Sequence, residues 1–92
     1  MPLAINRKKI DKTITSSSIQ EIEDKMLFRL KEKGDGTFSS RHEILGIIAE
    51  EYFELIEAVK SGTLEQVKEE LKDIAVGCAF GIASIEAKGV EW

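Results

Sequence analysis

Two acidic runs stand out for their spacing: EEYFE, with Glu50, Glu51 and Glu54, and EELKD, with Glu70 and Asp73 three residues apart. In a helix, residues three or four apart share a side, so each run points two or three carboxylates in one direction. Like charges so placed repel unless a cation sits between them. Glu51 also falls in the sector defined by Ile44, Ile48, Leu55 and Ala58, which a helix turning about 100° per residue would direct at the core. An ionised carboxylate on such a stripe needs a compensating cation or must take up a proton.

The two runs are brought together by the turn between them. Glu54 lies about eight residues before Ser61 and Gly62, and Glu70 about eight after. A break this short makes the flanking helices antiparallel neighbours, with the acidic pairs at one height. Four carboxylates in that arrangement suit a hard divalent cation, Mg²⁺ or Mn²⁺. Metal ligands are therefore expected at Glu51, Glu54, Glu70 and Asp73. The competing reading is a pair of solvated acidic faces, since charge-rich helices often expose such runs.

The elements that position these residues follow from sparse punctuation. Gly34, Gly36 and Gly62 are the main breaks and Pro2 is the only proline, which favours helices over strands and tight turns. Ser18 with Glu21 has capping-box spacing and predicts a first helix carrying Ile19, Ile22, Met26 and Leu30 up to Gly34. The run GDGTFSS is its exit loop. Ser40 with Glu43 predicts a second helix to about Lys60, and Thr63 with Gln66 a third to about Ala87. Residues 1–17 read as an N-terminal arm without a clear period, and 18–92 as one helical domain. From Ile74 the third helix reads IAVGCAFGIASI, apolar on every side, so it should be buried on every side. Two other helices cannot cover it. The expected fold is therefore all-α: a helical hairpin plus an N-terminal helix, completing a four-helix-type bundle as a homodimer or higher homo-oligomer. Gly77 and Gly81 would admit a close neighbour.

Composition narrows the class. Charged residues form 33% and hydrophobic residues 42% of 92, a globular balance. The net charge of −4 argues against broad nucleic-acid binding. The N-terminus lacks a signal-peptide pattern, the longest apolar run is too short to span a bilayer, and the single cysteine, Cys78, reads as a small buried hydrophobe; a cytoplasmic protein is expected. His42 is expected near the start of the second helix, outside the acidic runs, and cannot supply the Glu-x-x-His pairs of a di-iron bundle.

The two runs, written as EExxE and ExxD with 15 residues between them, resemble the signature of the all-α NTP pyrophosphohydrolases, which include MazG proteins and the dimeric dUTPases. The flanks IIAEEYFELIEAV and VKEELKDIAVG resemble that family too, over roughly residues 40–85. The resemblance implies hydrolysis of an NTP or dNTP to monophosphate and pyrophosphate, with Mg²⁺ on Glu51, Glu54, Glu70 and Asp73 and Glu50 as a further ligand or as the base that orients water. Many relatives continue beyond the third helix with basic or amide residues that meet the phosphates. Here Lys72, Lys88, Lys60, Arg41 or a basic residue from a second chain are the candidates, with Glu23 and Gln20 for a base pocket and Trp92 for stacking. Two other classes stay open: a non-catalytic nucleotide- or metal-binding helical module, and a purely structural helical oligomerisation protein.

Overall fold

A computed structural model describes residues 6–92 of the chain. It contains three helices, α1 (Lys12–Lys33), α2 (Arg41–Ser61) and α3 (Leu64–Glu86), and no strand among the described residues. No helix among them is long and apolar enough to cross a membrane.

The helix starts are set by local chemistry, and one differs from expectation. Helix α1 begins at Lys12, where the Asp11 carboxylate accepts from the Ile14 N–H at 2.8 Å. Ser18 is not a cap but an interior residue, and its hydroxyl donates to the Ile14 carbonyl. Asp11 wins because its ionised side chain meets the positive end of the helix dipole. Of the expected arm, residues 12–17 therefore belong to α1, and residues 1–5 lie outside the described residues. Ser40 does cap α2, accepting from Glu43 N. The return bond misses Ser40, however: the Glu43 carboxylate accepts from Ser39 N at 2.7 Å. Thr63 and Gln66 form both arms of the capping box that opens α3.

Helices α2 and α3 form the antiparallel hairpin, and α1 lies along α3. The glycines of α3 permit the close approach. A methyl group at Gly81 would sit 3.3 Å from Ile44 Cγ2, and one at Gly77 3.7 Å from Ile48 Cγ1. Ser84, almost fully buried, ties down the α1–α2 loop by accepting from Phe38 N at 2.9 Å. The last residues return over the start of α2, where Trp92 O accepts from Arg41 N and Ser39 O from Glu91 N. Trp92 thereby serves a free helix N–H, and its ring lies 5.4 Å from that of His42.

The apolar run of α3 is buried only in part. Val76, Gly77, Gly81 and Ser84 are buried, whereas Cys78, Ile82 and Ile85 are exposed in the single chain. The expected burial of Cys78 does not hold for one copy.

Candidate functional site

Glu51 projects from the α2 face that holds Ile44 and Ile48 against α3, and meets Glu70 and Asp73 there. Each of the three offers a carboxylate oxygen, all within 4.8 Å of one another. Glu51 Oε2 and Glu70 Oε2 are buried and have no hydrogen-bond partner. Such atoms are rare, since an unpaired buried acceptor forfeits its hydration without return. Burial pushes the Glu51 carboxyl from the usual 4.5 up to about 7, helped by the neighbouring Glu54 carboxyl and by the negative charges of Asp73, Glu54 and Glu70. Glu70 is also raised, by burial first and then by the charges of Glu54 and Asp73.

The other expected residues are placed differently. Glu54 is solvent-exposed and stands at the rim, near enough to perturb both glutamates but outside the tight trio. Glu50 is exposed and contributes to the wall of a cavity of about 380 Å³ beside the cluster. Lys72 lies on the α1–α3 seam, where it pairs with Glu69 at 2.8 Å and Glu21 at 3.4 Å. It does not line that cavity. Gln20 and Glu23 sit exposed on α1, with the Gln20 amide bonded to Glu23 and Asp24. Neither lines the cavity either, because the early start of α1 and its packing on α3 turn this face to solvent.

What composition and motif did not disclose is a row of cations from α1. Lys25 Nζ lies 2.6 Å from Asp73 Oδ1 and 3.1 Å from Glu69, and Arg29 Nη2 lies 3.3 Å from Asp73 Oδ1. Burial works against the charged Lys25, yet its bonds to Asp73 and Glu69 prevail and its pKa is raised. Lys33, one further turn along, joins Arg29 in lining the cavity. The spacing of Lys25, Arg29 and Lys33, four residues each, was a readable signal for one basic stripe.

Part of the cavity lining is apolar. Phe38 from the tethered loop and Phe80 from α3 meet with ring centroids 6.3 Å apart, tilted by 55°, and Ile47, Val76 and Gly77 complete the surface. The cavity lining thus combines carboxylates, cations and aromatic rings. This suits a ligand with a flat apolar part and an anionic part.

The donor set fits a hard divalent cation. It is all carboxylate oxygen, carries two orphaned buried acceptors and has an excess of negative charge. Asp73 is the one member already balanced, by Lys25 and Arg29. The chain matches no family model, no curated protein and no solved structure.

Proposed function

We propose that this protein is a metal-dependent nucleoside triphosphate pyrophosphohydrolase of the MazG-like, all-α type. The reading is carried by the two buried, unpartnered oxygens of Glu51 and Glu70, on helices bearing the EExxE and ExxD runs. Glu51, Glu54, Glu70 and Asp73 would hold Mg²⁺, with Mn²⁺ as a substitute. The bound ion would neutralise the phosphates and lower the pKa of a water it carries. Glu50, on the cavity wall, orients the attacking water and takes its proton as the α–β phosphoanhydride is cleaved. The aromatic wall receives the base. Incubation with a panel of NTPs and dNTPs plus Mg²⁺ should release pyrophosphate and monophosphate; no turnover of any triphosphate with Mg²⁺ or Mn²⁺ would refute the assignment.

The working unit in this proposal is a homodimer. Leu45, Tyr52 and Val59 on α2, and Leu64, Leu71, Cys78 and Ile85 on α3, recur every seven residues and are exposed. Counted from the turn, Val59 is level with Leu64, Tyr52 with Leu71, and Leu45 with Cys78. Several of these lie one residue beyond positions facing the partner helix, a rotation of about 100°. In antiparallel helices that rotation goes to the same side of both, and Leu71 there also borders Ser18, Glu21 and Ile22 of α1. A two-helix apolar face of this kind is what a second hairpin would cover to make four helices.

A structural oligomerisation protein is the alternative, favoured by that apolar face and by the ion pairs at Asp73. It predicts no Mg²⁺ or Mn²⁺ binding in a calorimetric titration.

A further inference from the structure

The proposed reaction needs groups that grip phosphates, and the lysines named from the sequence do not reach the cavity. The basic stripe of α1 does. Lys25 and Arg29 both contact Asp73, but unequally. Lys25 is the shorter partner, 18% exposed and held between two carboxylates. Arg29 is 31% exposed and makes a single longer bond of 3.3 Å through Nη2. A guanidinium has five N–H donors, so most of its capacity is free to meet another anion. Lys33, in the last turn of α1, has no ion pair among the described residues and borders the same cavity. Arg29 and Lys33 therefore both line the cavity that Asp73, Phe38 and Phe80 also line.

We infer that Arg29 and Lys33 are the phosphate-binding residues of this site. Arg29 moves from Asp73 to the polyphosphate when that carboxylate turns to the metal, while Lys25 stays behind and keeps α1 docked on α3. The exchange conserves charge: the cation takes over the neutralisation of Asp73, and the freed guanidinium neutralises a phosphate oxygen. This inference rests on the metal-dependent reading above, and its test separates the two.

Binding of inorganic tripolyphosphate in the presence of Mg²⁺, followed by calorimetry on the full chain, reads the grip without requiring turnover. Arg29→Gln and Lys33→Gln should each weaken binding about tenfold or more, the typical loss for a charge-assisted hydrogen bond. Arg29→Lys should recover part of it. Mg²⁺ alone should bind Arg29→Gln as tightly as the wild type or more tightly, because a competitor for Asp73 is gone; a merely structural role would not produce that split. Lys33→Gln guards against loss of folding, since Lys33 makes no ion pair that holds α1 in place. Unchanged tripolyphosphate affinity in either variant overturns the role of that residue, and no binding by the wild type overturns both. Wild-type binding that the variants lose, without turnover of any triphosphate, upholds the grip and refutes the pyrophosphohydrolase.

Discussion

Replacing Glu51 by glutamine tests the electrostatic core of the site directly. In the folded chain the Glu51 carboxyl titrates at about 7 instead of 4.5. Between those values the folded state holds a proton that the unfolded state has released, so the contribution of Glu51 to stability falls as pH rises from about 4.5 to about 7 and is constant on either side. The full shift corresponds to roughly 3 kcal/mol at 1.36 kcal/mol for each pH unit. Partial solvent access at the rim reduces this to about 1–2 kcal/mol. Glu51→Gln keeps the shape and removes the ionisation. In metal-free buffer it should equal the wild type near pH 4 and exceed it by about 1–2 kcal/mol at pH 8, roughly 5–10 °C in melting temperature for a domain of this size. Circular dichroism melts at fixed protein concentration measure this. Mg²⁺ at a hundred times its Kd should then raise the wild type at pH 8 by about 2.7 kcal/mol and leave the variant unmoved. A stability difference between variant and wild type that does not grow from pH 4 to pH 8 without metal, or a variant weaker than wild type at pH 8, would refute the reasoning.

Asp73→Ala and Glu54→Ala should both abolish metal-dependent hydrolysis, yet differ in stability. Removing Asp73 takes away the closest partner of the poorly exposed Lys25 and should cost about 1–3 kcal/mol in urea denaturation, whereas removing exposed Glu54 relieves repulsion and should cost nothing measurable. Leu71→Glu puts a charge in the middle of the open apolar face; sedimentation equilibrium should find the wild type dimeric and the variant a helical monomer, and a wild type monomeric at high concentration would remove the dimer. Ser84→Ala leaves the Phe38 N–H without its acceptor and should cost about 1–3 kcal/mol, with faster hydrogen exchange at that amide. Gly89→Ala drives a methyl group into the Thr37 side chain; a loss of about 1–3 kcal/mol in thermal melts is expected from such overpacking.

What the sequence determined by itself was local or levelled by a short turn. Capping residues Ser40 and Thr63 mark where α2 and α3 begin, because a cap acts within three residues. Ser61 and Gly62 leave so little chain that the heights of Glu51, Glu54, Glu70 and Asp73 follow by counting. Where two local signals competed, counting failed: Ser18 and Asp11 are both acceptable caps, and the choice went to Asp11 within a helix that runs on through Ser18. Which charges meet depends on how the helices pack. Arg29 and Asp73 are 44 residues apart, and no period in either segment states the angle at which α1 lies along α3. That angle brings Lys25 and Arg29 onto Asp73, leaves Gln20 and Glu23 in solvent, and sets Lys72 on the seam away from the cavity. The orphaned oxygens of Glu51 and Glu70 are likewise a tertiary outcome, because burial is a property of everything packed around an atom, which residue spacing does not encode.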